Sequence, residues 1–548
     1  MPDPVRDRLA GVAGLLVLVA GVVGVVSGLV PAERGRLRLV VDLLGLPVAA
    51  GAAATSVTLG VLLVLVARGL RRRQRRAWAV AVPLLVLAAV VHVVKGLDVE
   101  EALLDLVGLA VLLVTRDSFR ADPDPDERAH PVQLFLQLLS ASVVVGLVLV
   151  HREAAGSLGA QLQTVLRGLV GLSGPAVVRP AHLDLVDDVL LWLGALTLLV
   201  PVFSALRTGR DRQAPAPADL DRVRALLDAR PDGDSLGWFA LRDDKQLVFS
   251  RTGKAAVSYR VVAGVALASG DPLGDPEAWP GAIAAFLDRT CRHGWTPAVL
   301  GCSERGGTAW SRAGLLALEV GDEAVLDTTT FTLEGRAMRD VRQSVNRTER
   351  AGLAVQVRRV GEVPAEELDR LRVLAASWRD GPVERGFSMA LGRLGGPGDE
   401  RCVVATATRD GQVQALLHFV PWGDDGLSLD LMRRARGTDN GVNELLITRA
   451  VLAAPGLGVR RVSLNFALFR RALEQGGRLG AGPVLRRWRA LLLLASRVWQ
   501  IDSLYRFNDK FGPAWTPRYV CYRRPSDLPR VVVAGLQAEA FLPQLPWS

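Results

Sequence analysis

Long apolar blocks fill the front of the chain, and short alternating runs fill the rest. From Leu9 to Val30 no charged residue interrupts a stretch long enough to cross a hydrocarbon core of about 30 Å. That pattern predicts a membrane span. Comparable blocks recur at Pro47–Ala67, Trp78–Val94, Ala102–Val114, Val132–Val150 and Val186–Leu206, so about six spans are expected, the fourth being short. The first block is too long for a signal peptide and lacks a small-residue cleavage site.

Lys and Arg are distributed unevenly between the two sets of connections. With the N-terminus inside, the inner segments hold fourteen, including the cluster Arg68, Arg71, Arg72, Arg73, Arg75 and Arg76, against seven outside. The positive-inside rule then places the globular part behind the bundle in the cytoplasm. Gln161–Gly171 has the character of a helix lying flat at the outer interface. No span carries a run of ionisable groups resembling a proton relay, which favours an anchor over a transporter and leaves a lipid-handling role open.

Ala214-Pro215-Ala216-Pro217-Ala218 is a stiff spacer between bundle and globule. Beyond it, periodicity predicts a helix at Leu220–Ala229, strands at Gln246–Ser250, Ala256–Val262 and Gly264–Ala268, a helix at Ala278–His293, strands at Pro297–Gly301 and Val325–Leu333, and a helix at Gly335–Ala351. The order then repeats. Strand Leu353–Val360 and helix Ala365–Arg379 lead into strands Cys402–Arg409, Gln412–Val420 and Leu427–Leu431, helix Gly441–Ala453 and strand Arg461–Phe466. The domain plan is therefore a transmembrane bundle over 1–212, a linker over 213–220, and two similar α/β units over 221–352 and 353–548. The hairpin turning at Asp410-Gly411 excludes a purely parallel sheet.

Of 548 residues half are apolar, as suits a membrane segment joined to a folded part. Cys291, Cys302, Cys402 and Cys521 form no CxxC pair and read as reduced thiols, and the six histidines show no ligand spacing, so no metal is expected. Charge adds more. Between Arg460 and Arg524 fourteen basic residues face three acids, a strip suited to RNA phosphates or anionic headgroups. Within it Val484–Ile501 mixes arginines with Trp488 and Trp499, either as an interfacial helix or as a core helix with a solvated basic face. Spacings of three and four place Arg336, Arg339, Arg342 and Asn346 on one helix face, where phosphate contact competes with simple solvation.

Ser428-Leu429-Asp430-Leu431-Met432-Arg433 sets a carboxylate in an apolar strand, where burial is costly unless it is paired. In a regular strand Asp430 and Arg433 point to opposite faces, so a shared site requires a bulge or a strand end near Met432; a surface salt bridge is the plain alternative. Asn440-Gly441-Val442-Asn443-Glu444 starts a helix with a capping Asp or Asn and free N–H groups suited to an anion. No GxSxG, Ser/His/Asp order or Walker loop is present. Strands packed on a helix that follows a turn resemble the GNAT acyltransferase fold, whose coenzyme A loop of the Q/RxxGxG/A type is not matched by Arg436-Gly437-Thr438-Asp439-Asn440-Gly441. Acetyl-CoA is therefore not the expected donor, and no cofactor is expected.

Ser463-Leu464-Asn465-Phe466-Ala467, Gly480-Ala481-Gly482-Pro483, Ser503-Leu504-Tyr505-Arg506 and Lys510-Phe511-Gly512-Pro513-Ala514-Trp515-Thr516-Pro517-Arg518-Tyr519 resemble the MprF-type family of aminoacyl-tRNA-dependent phosphatidylglycerol aminoacyltransferases, and within it the transferase part of actinobacterial lysylphosphatidylglycerol synthases. The resemblance covers most of 220–545, with Ser269-Gly270-Asp271-Pro272 and Gly386-Phe387-Ser388-Met389 included. It implies a membrane bundle followed by two tandem GNAT-like domains that move an aminoacyl group, lysyl first and alanyl as the other option, from tRNA to phosphatidylglycerol. It also implies catalytic roles for Asp430, Arg433 and Lys510, and substrate contacts are expected at Arg339, Arg342, Asn346, Ser388, Asn440, Glu444, Asn465 and Arg518. Two departures matter. The chain has no synthetase region after Glu539-Ala540-Phe541-Leu542, which implies a separate aminoacyl-tRNA synthetase as supplier, and its bundle is smaller than that of flippase-bearing relatives. Two competing readings are a peptidoglycan-precursor aminoacyltransferase and a membrane-anchored RNA- or lipid-binding protein without turnover.

Overall fold

A computed structural model describes residues 4–29, 46–96, 98–119, 121, 130–172, 174–178, 183–206, 214–379, 386–468 and 501–543. The chain divides into two compact units, one helical and one α/β. In the helical unit the apolar blocks form α1 (Pro4–Leu29), α2 (Leu46–Arg71), α3 (Arg75–Gly96), α4 (Val99–Val114), α5 (His130–Glu153) and α7 (Leu183–Ala205), with the shorter α6 (Leu158–Gly168) between the last two. Among the described residues, four segments are long and apolar enough to cross a membrane: Leu9–Leu29, Arg75–Val93, His130–Glu153 and Asp184–Ala205. The expected count of six falls to four on this criterion. Helix α4 has 16 residues and reaches only about 24 Å.

Glycines let α1 and α2 pack backbone to backbone. A Cβ on Gly60 would lie 2.6 Å from the Gly21 carbonyl oxygen, so a larger residue there forces the helices apart. Beside that crossing lies a buried polar chain that span-by-span reading missed. Ser56 Oγ donates to the Gly24 carbonyl at 3.0 Å and sits 3.2 Å from His92 Nε2, while His92 Nδ1 lies 3.0 Å from Asp105 Oδ2. Four helices meet at this knot. The residues come from separate blocks, and only their packing shows that the acid has a partner.

The α/β unit opens with α8 (Pro217–Asp228) and is built on one sheet. Its first-half strands are β1 (Gln246–Phe249), β2 (Ala255–Val262), β3 (Val265–Ser269), β4 (Thr296–Cys302) and β5 (Leu316–Asp327), with α9 (Trp279–His293) after β3 and α10 (Glu304–Arg312) after β4. The second half runs α11 (Arg339–Arg350), β6 (Ala354–Arg359), α12 (Ala365–Ser377), β7 (Val403–Arg409), β8 (Gln412–Trp422), β9 (Gly426–Arg434), α13 (Val442–Ala453), β10 (Arg461–Leu468), α14 (Ile501–Asp509), β11 (Ala514–Tyr522) and α15 (Leu528–Ala538). The spatial order is β1-β2-β3-β4-β11-β5-β10-β9-β8-β7-β6, with Leu273–Gly274 paired to β2.

That order contains an exchange. Each half has antiparallel strands ending in a parallel pair joined by a helix, β3-α9-β4 and β9-α13-β10. The last strand of each half then crosses over: β11 pairs with β4, β5 pairs with β10, and the two exchanged strands pair with each other. The halves are thus stitched through the centre of the sheet. One face of the second half buries Val403, Leu417, Phe419 and Leu427 against Val341 and Val345 of α11 and Leu446 and Val451 of α13. Its other face buries Val404 and Leu416 against Leu371 and Leu394. Each fully buried Leu or Phe contributes about 1.5–3 kcal/mol, which makes this layering the main source of stability.

Two sequence expectations are corrected. The strand expected over Val325–Leu333 occupies Leu316–Asp327 and stops where Asp327 Oδ1 accepts from the Thr329 amide at 2.8 Å and its hydroxyl at 2.6 Å. The following helix begins at Arg339, after Gly335 takes a positive φ of 85°. Strand β11 and helices α10 and α15 had no counterpart in the periodicity reading; Pro517 in the middle of β11 weakened its signal. The expected interfacial helix at Val484–Ile501 lies almost wholly outside the described residues.

Candidate active site and the cleft beside it

The parallel pair β9·β10 is in register only over Gly426–Ser428 and Arg461–Ser463, beyond which the two strands part. At that point β9 bulges. His418 on β8 pairs with Leu431 and Phe419 with Leu429, so Asp430 is the inserted residue. Inserting one residue flips the alternation: Leu427, Leu429 and Met432 pack on one face, while Leu431 joins Leu416 on the other. Arg433 is the cross-strand partner of Leu416 and therefore shares the face of Asp430 and His418. The bulge that a shared site requires is present.

Asp430 is closed in by two partners. Its Oδ1 accepts from the Leu391 amide at 2.6 Å, and its Oδ2 lies 2.6 Å from His418 Nδ1, with both side chains at most 1% exposed. When Nδ1–H donates to Asp430, neutral His418 is left with Nε2 as a buried acceptor without a hydrogen-bond partner among the described residues. Sequence reading missed His418, since only the register of β8 against β9 brings it beside the carboxylate.

The gap between the parting strands is bridged by Asn465, which takes a φ of 66° and donates from Nδ2 to the Leu429 carbonyl at 2.5 Å. Asn508 at the end of α14 donates to the Leu464 carbonyl at 3.3 Å. Two residues later Lys510 Nζ meets Glu444 Oε1 at 3.0 Å on the first turn of α13, and Phe511 is buried beside Val442 and Leu445. Lys510 keeps 43% of its side-chain exposure. The aromatic signature is thus a helix, a turn at Gly512 and strand β11, folded so that its lysine faces the crossover helix.

The start of α13 corrects the expected cap. Gly441 occupies the N-cap position at φ 106°, and no side chain caps the helix. Asp439 instead pairs with Arg409, and the Asn440 carbonyl accepts from Arg347 Nη2 at 2.7 Å. The remaining expected contacts fall in several places. Ser388 is buried, its amide and hydroxyl both bonded to Glu539 Oε1 at 3.1 and 2.5 Å. Arg342 donates to the Leu333 and Gly335 carbonyls ahead of α11, while Arg339 and Asn346 are exposed on that helix. The contacts of Asp430 and those of Lys510 involve different side chains. The bulge unites Asp430, His418 and Arg433, and the start of α13 unites Lys510 and Glu444.

A separate cleft of about 810 Å³ is lined by Asp234, Asp271, Glu323 and Arg518, and among the expected site residues only Arg518 lines it. Arg518 is itself buried. It donates to Asp234 Oδ1 at 2.7 Å, to Ser235 Oγ at 2.5 Å, to the Gly301 carbonyl at 3.2 Å and to Glu323, whose other oxygen accepts from Ser463 Oγ. Ser463 Oγ also accepts from the Asn465 amide at 3.2 Å, so hydrogen bonds run from the cleft to the strand gap next to Asp430. Asp271 completes the cluster, accepting from the Ser303 amide at 2.8 Å and hydroxyl at 2.5 Å. Burial, with Asp271 and Glu323 nearby, pushes the Asp234 carboxyl up to about 7 in spite of Arg518. Burial likewise raises Asp271, whereas Arg518 and the Ser235 and Ser463 hydroxyls hold Glu323 below the usual carboxylate range in spite of its burial.

The two halves repeat this device. The last pair of the β3·β4 ladder is Ser269 with Leu300, and that of β9·β10 is Ser428 with Ser463. Asp271 and Asp430 each stand two residues further on, and each accepts a backbone amide.

Parting parallel strands, a bulged neighbour and a crossover helix with an open N-terminus define a GNAT-like α/β class, carried here behind apolar helices. A profile of the family described as phosphatidylglycerol lysyltransferase, C-terminal, matches residues 224–522. The chain belongs to that family. Among relatives, the lysylphosphatidylglycerol biosynthesis bifunctional protein LysX of Nocardia farcinica is 52% identical over 65% of this chain and 32% of its own length. Its namesake in Mycobacterium avium is 41% identical over 90% of this chain and 43% of its own length. This chain therefore spans less than half of the curated relatives it matches. Of solved structures, L-PGS from Bacillus licheniformis aligns with a TM-score of 0.49 at 21% identity, covering 60% of this chain and 99% of that one. The C-terminal domain of a putative lysylphosphatidylglycerol synthetase from Agrobacterium fabrum aligns at 0.48 and 23% identity, covering 60% and 99%.

Proposed function

We propose that this protein transfers a lysyl group from lysyl-tRNA to a hydroxyl of phosphatidylglycerol. The single observation that supports it most is the bulge at Asp430, which sets Asp430, His418 and Arg433 on one face within the family's matched region. In the reaction a glycerol hydroxyl oxygen attacks the ester carbonyl, a new ester C–O bond forms, and the tRNA ribose oxygen leaves with a proton. The ester donor needs no further activation, so alignment, a base and oxyanion stabilisation suffice. Asp430 and His418 act together as the acid–base pair, Arg433 holds a phosphate, and Lys510 neutralises the oxyanion or a second phosphate. Because the Leu391 amide closes over Asp430, substrate entry requires that backbone contact to open.

In this reading the α/β part comprises two tandem GNAT-like domains that exchange their last strands, expected at 221–352 and 353–548, with α11 of the first range packing on the sheet of the second. It faces the cytoplasm behind a multi-pass bundle with up to six spans, and a separate synthetase supplies the charged tRNA. Arg339, Arg342, Asn346, Ser388, Asn440, Glu444, Asn465 and Arg518 bind or position the substrates. A cationic lipid product lowers the negative charge of the envelope and weakens attraction of cationic peptides. The test is a comparison of lipid extracts from cells with and without the protein. A new amine-bearing derivative of phosphatidylglycerol is expected; unchanged lipids in cells that hold the protein and lysyl-tRNA would overturn the reading.

A further inference from the structure

Residues Gly386 to Gly392 close over Asp430 as a strap without regular secondary structure, bounded by two glycines at φ 98° and 80°. Its start is gathered on one residue. Three consecutive amides donate to Glu539: Gly386 to the main-chain carbonyl at 3.5 Å, Phe387 to Oε2 at 2.6 Å and Ser388 to Oε1 at 3.1 Å. Ser388 Oγ adds a fourth bond to Oε1 at 2.5 Å. At the far end the 390–391 peptide has its carbonyl held by Arg242 at 3.3 Å and its amide on Asp430 Oδ1 at 2.6 Å, while His418 Nδ1 lies on the other carboxylate oxygen. Both oxygens of Asp430 are therefore covered.

Glu539 stands at the C-cap of α15 and is 6% exposed, so the helix dipole and burial both oppose a carboxylate there. Three donors from the strap, two amides and a hydroxyl, offset that cost. The strap is pinned again where Phe387 packs with Val262 and Val265, and where Leu391 packs with Leu236, Phe239 and Leu241. These anchors belong to the first half of the sheet, whereas Asp430 belongs to the second. The chemistry gives the arrangement a purpose. An aminoacyl ester is open to water as well as to a lipid alcohol, so a transferase has to keep its base away from water until the acceptor is in place.

We propose that Glu539 is a positioning residue: by fixing the strap it keeps the Leu391 amide over Asp430, so that the base stays covered against water until phosphatidylglycerol turns the 390–391 peptide away. The proposal rests on the lysyl-transfer reading and adds what guards the donor ester. With the strap loosened, a water oxygen attacks the ester carbonyl, free lysine forms, and the tRNA ribose oxygen leaves with a proton.

The test uses the full-length protein in detergent and measures release of free lysine from lysyl-tRNA without lipid, then transfer once phosphatidylglycerol is added. Glu539→Gln turns an NH₂ toward one of the two strap amides and is expected to raise lysine release by about tenfold, the factor that one buried hydrogen bond is worth, while lowering transfer. Ser388→Ala keeps both amide bonds and loses only the hydroxyl, so its release is expected to fall between wild type and Glu539→Gln. Adding Asp430→Asn to Glu539→Gln is expected to return release to the protein-free rate, because the leak runs through Asp430. A merely structural role predicts no gain. Release unchanged or lowered in folded Glu539→Gln, or a leak that survives Asp430→Asn, overturns the proposal. If Glu539→Gln does not fold, wild-type release from Ser388→Ala overturns it instead. Hydrogen exchange read by mass spectrometry is independent of turnover: the peptide spanning 386–392 is expected to exchange faster in Glu539→Gln, with α13 unchanged, and equal exchange overturns the proposal too. A wild-type protein that makes no lysyl lipid removes the transfer reading, and the hold of Glu539 on the strap is then decided by exchange. Intact transfer without a leak in Glu539→Gln removes the positioning role and leaves the transfer reading standing.

Discussion

Replacing Asp430 by Asn separates chemistry from architecture. Asn keeps an oxygen for the Leu391 amide but loses the charge and presents an NH₂ to His418 Nδ1, which forces the imidazole into its other tautomer. One buried hydrogen bond is retained and one is inverted, so the stability loss should be about 1–2 kcal/mol. Asp430→Ala leaves two buried donors unpaired and should cost about 2–6 kcal/mol. If Asp430 and His418 are the acid–base pair, both variants should lower transfer by about 100-fold or more. The assay pairs two measurements on purified protein: lysyl-lipid formation from charged tRNA and phosphatidylglycerol vesicles, and thermal unfolding followed by tryptophan fluorescence. The reasoning is refuted if Asp430→Asn retains activity within a few-fold of wild type, or if activity lost in the two variants merely follows their loss of folded protein.

Lys510→Ala removes a cation that is 43% exposed, so it should abolish transfer with a stability change below about 0.5 kcal/mol; loss of folding instead would mark a structural role. Arg518→Met strands the carboxylates of Asp234 and Glu323 and should cost about 3–5 kcal/mol, read from the unfolding midpoint in denaturant. Lys245 is buried, donates to the Phe239 carbonyl and Ser269 Oγ at 2.9 and 2.8 Å, and has its ammonium pulled down to about 7 by burial. Between pH 7 and 10 the unfolded chain binds this proton and the folded one does not. Wild-type stability should therefore rise relative to Lys245→Met by up to about 1.4 kcal/mol per pH unit, and a parallel pair of curves would contradict the assignment. In the bundle, Asp105→Leu deprives buried His92 of its carboxylate partner at Nδ1, so the His92→Leu/Asp105→Leu double variant should resist detergent unfolding better than Asp105→Leu alone.

Local pattern carried most of the fold because both periodicities are clean here. The apolar blocks became helices within a few residues of their expected limits, and alternation located β7 to β9 closely. Topology was another matter. Nothing in Ala514–Tyr522 says that it pairs with β4 and β5 of the other half, because strand exchange depends on contacts about two hundred residues away in the chain. The site was half legible. Asp430 and Arg433 were recognisable as polar residues in an apolar strand, and the need for a bulge followed from the period of two. His418 and Asp234 were not, since one was a lone histidine in an apolar run and the other an ordinary acid in a turn-rich segment, and only register and burial give them partners. Ser388 lay inside a recognisable motif, but its bonds to Glu539 were not legible, because the two residues stand 151 positions apart in the chain.

The central claim is best tested by incubating the purified protein with tRNA charged with isotopically labelled lysine and vesicles containing phosphatidylglycerol, then analysing the lipids by mass spectrometry. A labelled species heavier than phosphatidylglycerol by one lysyl group is the predicted result, lost with Asp430→Asn. Label that stays on tRNA or appears only as free lysine, while the protein remains folded, would contradict the account.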